Sequence, residues 1–220
     1  MLAKDLITDD IPPLKPSDTG IMAINWMDEF KVSHLPIVNN HEYIGLISDT
    51  EILDFDITDD EFGKCKLALL RPYVLESQHV YEVIKMIANL KLTVLPVLNE
   101  ELKYVGLVPA TALIQQFANL AAASEPGGII VLEMNTHDYT LAQIAQIVES
   151  NDGKILSSYV YHIPDSTKME VTLKINREDL SAIIQTFNRY NYTLKASYHQ
   201  SEFMSDMKNR FDSFMNYLNM

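Results

Sequence analysis

Residues 34–51 read His-Leu-Pro-Ile-Val-Asn-Asn-His-Glu-Tyr-Ile-Gly-Leu-Ile-Ser-Asp-Thr-Glu, and this stretch decides the fold of the first half of the chain. Apolar runs on either side of the polar segment Asn39–Glu42 predict two strands joined by a tight turn. The hydroxyl-bearing loop Ser48–Glu51 predicts the start of a short helix. We therefore predict strands over 35–38 and 43–47, followed by a helix over 50–55.

A near-copy of this stretch lies further along the chain. At an offset of 60 residues, Leu95–Leu98 repeats Leu35–Val38, and at an offset of 61, Tyr104–Val108 repeats Tyr43–Ile47. Identical residues also pair at the offset of 60 upstream of the two strands, namely Ser17 with Ser77, Ile24 with Ile84 and Lys31 with Lys91. Two copies of this size indicate a duplicated supersecondary module.

A predicted helix precedes the hairpin in each copy. Ser17 and Ser77 are candidate N-caps, because a serine hydroxyl accepts hydrogen bonds from the first free N–H groups of a helix. Apolar side chains then recur at helical spacing, and we expect them to face a core. They are Ile21, Ile24, Met27 and Phe30 in the first copy and Val80, Val83, Ile84, Ile87 and Leu90 in the second. A closing helix is predicted over 111–120, with Pro109 at its start.

Two β-α-β-β-α units in tandem resemble the CBS-domain pair, or Bateman module, over about residues 1–120. The marks of the resemblance are the Leu-Pro pairs at 35–36 and 95–96, together with Gly45 and Gly106. The resemblance implies two motifs, over 1–60 and 61–123, packed sheet to sheet. It also implies two clefts between them, which in this family often bind adenosine-containing ligands.

The family's ligand signature is Gly, two apolar residues, Ser or Thr, two residues of any type, and Asp. In the first copy Gly45–Glu51 matches it with Glu in place of Asp, so the resemblance implies that Ser48 meets a phosphate and Glu51 meets ribose hydroxyls. Candidate ligands are AMP, ATP and S-adenosylmethionine. The predicted binding residues are His34, Leu35, Pro36, Gly45, Ser48 and Glu51. In the second copy Pro109 and Ala112 replace the hydroxyl and the acid, so the signature is lost.

The same residues allow a purely structural interpretation. Ser48 and Glu51 have the spacing of a capping box, in which the two side chains satisfy the first turn of a helix. Residues 49–61 also contain seven Asp and Glu and no Lys or Arg. A polyphosphate would be repelled there unless a divalent cation bridged it. The sequence leaves both the ligand site and the capping box open.

The second half has a different pattern after residues 121–128, which read Ala-Ala-Ala-Ser-Glu-Pro-Gly-Gly and predict a joint at Ser124–Gly128. Strands over 129–134, 154–163, 169–175 and 192–198, with helices over 141–149 and 176–189, give the order β-α-β-β-α-β of a ferredoxin-like fold. Over 128–200 this order and size resemble an ACT domain, which implies small-molecule sensing.

Two details of this half bear on its function. The loop after its first strand lacks the glycine of the ACT amino-acid site, and Asn135 and Asp138 fit either a helix-capping turn or a ligand contact. Residues 201–220 have apolar side chains at helical spacing, which predicts a C-terminal amphipathic helix that packs against its own domain or a second subunit.

Composition limits the classes of function. A net charge of −13 disfavours nucleic acid and anionic membranes as partners. No apolar run reaches the length of a membrane span. A single cysteine, Cys65, rules out an intramolecular disulfide and fits the cytoplasm.

No catalytic motif is present, and the six histidines show no metal-ligand spacing. An enzyme is therefore not expected. The order of CBS pair and ACT domain resembles the acetoin-utilisation accessory proteins of bacteria. The sequence predicts an α/β, non-catalytic, homodimeric sensor; the alternatives are a ligand-free dimeric scaffold and amino-acid sensing by the ACT-like domain.

Overall fold

A computed structural model describes residues 1–65 and 67–198. The chain forms two compact units, Met1–Gln116 and a second that begins at Phe117. Both units are mixed α/β. The division falls within a helix, ahead of the predicted joint at Ser124–Gly128. Among the described residues, no helix combines the length and apolar character that crossing a membrane requires.

The first unit contains the same element order twice. The first copy has α1 (Gly20–Phe30), β1 (His34–Asn39), β2 (Glu42–Ser48) and α2 (Asp49–Asp54). The second has β3 (Val74–Leu75), α3 (Val80–Leu90), β4 (Val94–Leu98), β5 (Tyr104–Pro109) and α4 (Ala110–Leu120), which continues across the division. In the first copy a single parallel bridge between Leu14 and Ile37 stands in place of β3. The predicted repeat is confirmed.

The strand pairings of the two copies match. β1 pairs antiparallel with β2, and β4 with β5. Ile37 lies opposite Gly45, and Val97 lies opposite Gly106, with a register shift directly after each of these pairs. β3 runs parallel to β4. The sequence repeat is therefore also a repeat of hydrogen-bond register.

Each copy completes the sheet of the other with the segment that precedes it. Thr8 forms an antiparallel bridge with Leu107 of β5, and its N–H donates to the Leu107 carbonyl over 3.1 Å. Leu70 forms the corresponding bridge with Leu46 of β2, whose N–H donates to the Leu70 carbonyl over 2.9 Å. We call these two strand-like segments, residues 7–8 and 69–70, the crossing segments. They make the first unit a single interlocked body.

One apolar cluster runs through both copies of the first unit. The helices contribute less to it than predicted, because only one narrow face of each is covered. Ile21 is 45% exposed, Ile84 is 42% exposed and Leu90 is 46% exposed. The prediction that these three side chains face the core is therefore wrong; Met27 and Ile87 are among the side chains that do.

The predicted N-caps Ser17 and Ser77 are also wrong. Thr19 and His79 occupy the N-cap positions of α1 and α3. The helices begin late because a side-chain-closed turn precedes each of them. In the first copy the Lys15 N–H donates to the Asp18 carboxylate over 2.7 Å. The second copy has the equivalent bond from the Leu75 N–H to the Gln78 side chain, also 2.7 Å.

The second unit has the predicted β-α-β-β-α-β order. Its elements are β6 (Gly128–Asn135), α5 (Leu141–Glu149), β7 (Ile155–His162), β8 (Lys168–Ile175), α6 (Ser181–Arg189) and β9 (Thr193–Tyr198). The strand order β7-β8-β6-β9 is that of a ferredoxin-like sheet. Assignment to the ACT family stays a prediction. The predicted helix over 201–220 lies outside the described residues.

The core of this unit lies between one face of the sheet and the two helices. Ile130 of β6 and Val171 of β8 point to that face, and Ile144 of α5 and Phe187 of α6 cover it; all four are fully buried. Alternate residues of β8 are buried, as expected for a strand with one covered face.

Candidate functional site

The signature segment of the first copy forms a capping box. Ser48 is the N-cap of α2, and its Oγ accepts a hydrogen bond from the Glu51 N–H over 3.2 Å. The Glu51 carboxylate oxygen Oε2 accepts from the Ser48 N–H over 2.9 Å and from the Ser48 hydroxyl over 2.8 Å. The structural interpretation of this pair is confirmed. A ligand phosphate would have to compete with the box for the Ser48 hydroxyl.

His34, beside this segment, is bonded to the other copy. The Thr93 N–H lies 3.4 Å from His34 Nδ1, and Thr93 Oγ1 lies 3.0 Å from the same nitrogen. Because a backbone N–H can only donate, we assign Nδ1 as the acceptor and place the ring proton on Nε2. Thr93 Oγ1 in turn accepts from the Ser33 N–H over 2.9 Å. The start of β1 is thus tied to the residue that precedes β4.

Burial lowers the pKa of His34, and the carboxylates of Asp49 and Glu51 oppose this shift without reversing it. An ordinary histidine takes up its proton near about pH 6.5. Between that value and the lower folded pKa, the unfolded chain binds more protons at this position than the folded chain does. His34 therefore contributes stability above this window, and the contribution is lost as the pH falls through it.

We predict that His34→Asn flattens the acid side of the stability profile. Asparagine Oδ1 can replace Nδ1 as the acceptor for Thr93 but does not titrate. Urea denaturation between about pH 8 and about pH 5 should show the free energy of unfolding of the unsubstituted protein falling more steeply on acidification than that of the variant. Parallel profiles for the two proteins would contradict the neutral, buried state assigned to His34.

The other predicted binding residues lie in the interior. Leu35 is fully buried, and Pro36 and Gly45 are buried with it. A Cβ added to Gly45 would lie 2.6 Å from the Leu69 Cβ, so a crossing segment packs directly over this glycine. The structure brings His34, Ser48 and Glu51 together at one end of the β1–β2 hairpin, where His34 pairs with Ser48, and buries the remaining three. Ligand binding by the six residues stays a prediction.

The surface beyond Glu51 is strongly acidic. Asp54, Asp56, Asp59 and Asp60 are all exposed. Glu61 has an ion pair with Lys64 at 2.6 Å, between two exposed side chains. Surface pairs of this kind contribute little and leave the negative field largely uncompensated.

The largest cavity described in the first unit was not predicted from the sequence. Its volume is about 930 Å³, and it lies between residues 12–17, Trp26, the hairpin turn 38–41 and residues 104–105. No motif marks it, because its walls come from four separate parts of the chain. The available signal was the run of prolines at 12, 13 and 16 beside the single tryptophan.

A smaller cavity in the second unit adjoins the loop after β6. It has a volume of about 300 Å³ and is lined by Glu133, Met134, Asn135, Asp138, Gln143 and residues 190–193. Asn135 Nδ2 donates to the Asp138 carboxylate over 2.9 Å, and the Tyr192 hydroxyl donates to Gln143 Oε1 over 2.8 Å. Asn135 and Asp138 therefore close a local turn while also lining a cavity. Within residues 1–65 and 67–198, no three His, Cys, Asp or Glu side chains form a set that could hold a metal ion.

Residues 3–57 match the family model of the CBS domain. Over 146 residues the chain is 22% identical to inosine-5'-monophosphate dehydrogenase of Methanocaldococcus jannaschii. This alignment covers 64% of the chain but 29% of the enzyme, so the chain spans less than a third of the length of that relative.

Solved structures of CBS proteins are also similar to this chain. A CBS domain pair/ACT domain protein from Thermotoga maritima has a TM-score of 0.47 and 20% identity, over 54% of this chain and 98% of that protein. CBSX2, solved in complex with AMP, has a TM-score of 0.46 and 19% identity, over 54% of this chain and 96% of that protein. Each match takes in about half of the chain.

Proposed function

We propose that this chain is a non-catalytic regulatory protein whose first unit binds an adenosine-containing ligand at the hairpin end where His34, Ser48 and Glu51 lie together. The observation that carries the proposal is the bonding of Ser33 and His34 to Thr93. Because the signature end of one copy is tied to the other copy there, a ligand at that end changes the pairing of the two copies.

The charge of the cleft selects among adenosine-containing ligands. Glu51 accepts ribose hydroxyls, and the exposed carboxylates that follow it repel a polyphosphate. Adenosine, and S-adenosylmethionine with its cationic sulfonium, are therefore favoured over AMP, and AMP over ATP. ATP binds here only with a divalent cation between its phosphates and the acidic run.

We predict that the first unit is stabilised by one of these ligands and that Ser48→Ala combined with Glu51→Ala abolishes the response. The measurement is the unfolding temperature of both proteins, taken with adenosine, S-adenosylmethionine or AMP, and with ATP in the presence and absence of Mg²⁺. A ligand at a hundred times its Kd adds about 2.7 kcal/mol to the free energy of unfolding. Without ligand, the double variant stays folded and loses about 1 kcal/mol from the broken capping box.

Thr111→Ala is the matched control, because Thr111 lies in the second copy where the signature is lost. It should respond to ligand as the unsubstituted protein does. If no compound raises the unfolding temperature of the unsubstituted protein at millimolar concentration, the adenosine proposal fails.

A dimeric scaffold is the second candidate function. Apolar side chains are exposed on the helices of the first unit, among them Ile21, Ile84 and Ile114, and Phe55 directly after α2 is exposed as well. Burial of such side chains against a second copy gives a homodimer without any ligand. A scaffold would sediment as a dimer and show no ligand response. Under both candidate functions we place the protein in the cytoplasm, because it has a single cysteine. Under both, nucleic acid and membranes are not among its partners, because its net charge is −13.

Amino-acid sensing by the second unit is a third candidate, favoured by the cavity beside Glu133 and Asp138. Glu133 is ion-paired with Lys168, so the ammonium group of an amino acid would contact the Asp138 carboxylate, which accepts one hydrogen bond from Asn135. Titration of the chain with the twenty amino acids tests it. Membership of the ACT family and a role in acetoin use stay predictions.

A further inference from the structure

The two copies differ at one pair of tyrosines. Tyr43 and Tyr104 occupy equivalent hairpin positions, and Pro72 and Pro12 are equivalent residues in the segments that face them. The Tyr43 hydroxyl donates to the Pro72 carbonyl over 3.0 Å. The equivalent bond, from Tyr104 to Pro12, is not formed.

Tyr104 is nonetheless a buried side chain, with 9% of its surface exposed. Its hydroxyl has no hydrogen-bond partner among residues 1–65 and 67–198. Burial, followed by the negative charge of Asp9, raises the pKa of this hydroxyl, so that it remains a donor at neutral pH. Buried donors are nearly always satisfied, and one without a protein partner implies a water or a ligand beside it.

Tyr104 and Pro12 both line the cavity of about 930 Å³ in the first unit, which we call the Trp26 cavity. Its lining is Pro12, Pro13, Lys15, Pro16, Ser17, Trp26, Val38, Asn39, Asn40, His41, Tyr104 and Val105. A mostly apolar wall with a few polar groups, at this volume, is typical of a small-molecule site. The indole of Trp26 and the proline rings offer flat apolar surfaces to a ring of a ligand.

The lining of the Trp26 cavity carries no carboxylate, although the negative charge of Asp9 reaches the Tyr104 hydroxyl from outside the lining. None of its lining residues is Asp or Glu, although the chain has 30 of these residues and a net charge of −13. Lys15 contributes an ammonium group that forms no ion pair with a described residue. His41 and the carboxamides of Asn39 and Asn40 add further donors. The Lys15 side of the lining therefore favours an anionic group, and the neutral Tyr104 hydroxyl can donate a hydrogen bond to it.

The equivalent place, around Tyr43 and Pro72, has different side chains. Leu75 stands where the first copy has Lys15, and it packs on the small cluster of Val38, Tyr43, Leu98 and Tyr104. Ser77, the equivalent of Ser17, donates to the Glu100 carboxylate over 2.6 Å. The place around Pro12 and Tyr104 thus combines a cavity, a lysine that is not ion-paired with any described residue, and a hydroxyl without a described partner, whereas around Pro72 and Tyr43 the lysine is replaced by leucine and the hydroxyl is bonded.

We propose that the Trp26 cavity binds a small aromatic carboxylate, with its ring on the wall of Trp26 and the prolines and its carboxylate toward the Tyr104 hydroxyl and the Lys15 ammonium. This site is separate from the one at Ser48 and Glu51 and does not depend on it. A nucleoside monophosphate also combines a flat ring with an anionic group. The test therefore compares an aromatic carboxylate with a nucleoside monophosphate.

Trp26 is the only tryptophan of the chain, so the tryptophan fluorescence comes from a side chain that lines this cavity. Titration with phenylacetate should give a saturable change in emission. Phenylacetamide, which has the same ring and no charge, should bind at least about tenfold more weakly, because hydrogen bonds to charged groups are the stronger ones. Tyr104→Phe removes only the hydroxyl and should weaken phenylacetate binding about tenfold.

Tyr43→Phe is the matched control, since it removes the equivalent hydroxyl, the one already bonded to Pro72; it should leave the affinity for phenylacetate unchanged. The absence of a saturable signal with phenylacetate overturns the proposal, as does equal binding of phenylacetamide. Unchanged affinity in Tyr104→Phe overturns the role of the hydroxyl. A third outcome is that AMP binds, phenylacetate does not, and Tyr104→Phe weakens the binding of AMP. This outcome would show that the ligand is a nucleotide and would overturn the proposal of an aromatic carboxylate.

Discussion

Replacing Gly45 with alanine is expected to lower the free energy of unfolding of the first unit by about 3 kcal/mol. The new Cβ would lie 2.6 Å from the Leu69 Cβ and 3.1 Å from the Leu70 carbonyl oxygen. Neither atom is the free end of a flexible side chain, so the crossing segment must move off β2. The hydrogen bond from the Leu46 N–H to that carbonyl is then lost as well.

Urea denaturation measures this loss, and Gly63→Ala is its control. A Cβ on Gly63 would meet its nearest atoms, both on Pro16, at 3.1 Å, which a small adjustment relieves. The control should lose at most about 1 kcal/mol. Equal losses in the two variants would show that the crossing segment is held loosely and can move aside.

Leu14→Ala is expected to cost the first unit about 3 kcal/mol. Leu14 is fully buried, and its backbone is bonded on both sides to β1, through the carbonyl of Pro36 and the N–H of Val38. Alanine keeps both backbone bonds and leaves a cavity in the core where the leucine side chain was. The loss therefore measures packing alone.

Leu53→Ala is the matched substitution at a site 63% exposed, and its effect should stay within about 0.5 kcal/mol. Urea denaturation of both variants checks the pair. A loss under about 1 kcal/mol for Leu14→Ala would mean that the segment before α1 is not part of the core.

The parts of the fold that were predictable depend on local patterns. The hairpin over 34–48 follows from apolar runs around a polar turn, and the capping box follows from a Ser and a Glu three residues apart. In the second unit, alternating apolar residues in β8 and helical spacing in α5 gave the element order. Each of these signals lies within a few residues of the structure that it predicts.

The parts that were not predictable depend on contacts between distant residues. Leu14 and Lys15 are the two residues between Pro13 and Pro16, and this segment is too short to show a strand period. The crossing segments show no strand periodicity, because each is only two residues long. They become strand-like only through their bridges to β5 and β2. Ile21 and Ile84 continue an apolar stripe, but how much of a stripe becomes buried is decided by the neighbouring elements.

The candidate site shows the same division. The bonds between Ser48 and Glu51 are local and match one of the two interpretations that the sequence left open, whereas the bond from His34 to Thr93 joins residues 59 apart in the sequence. The Trp26 cavity was missed for the same reason, since it arises from the packing of four segments.

The crossing segments also constrain how this protein can be synthesised. A ribosome releases the chain in sequence order, so residues 7–8 emerge well before their partner Leu107. Their partner Leu107 is added near the end of the first unit, so the early segment has no edge to join until nearly all of that unit exists. The sheet of the first copy likewise waits for Leu70. A nascent chain that stops after one copy exposes an unpaired strand edge, which a second such chain can cover by intermolecular pairing.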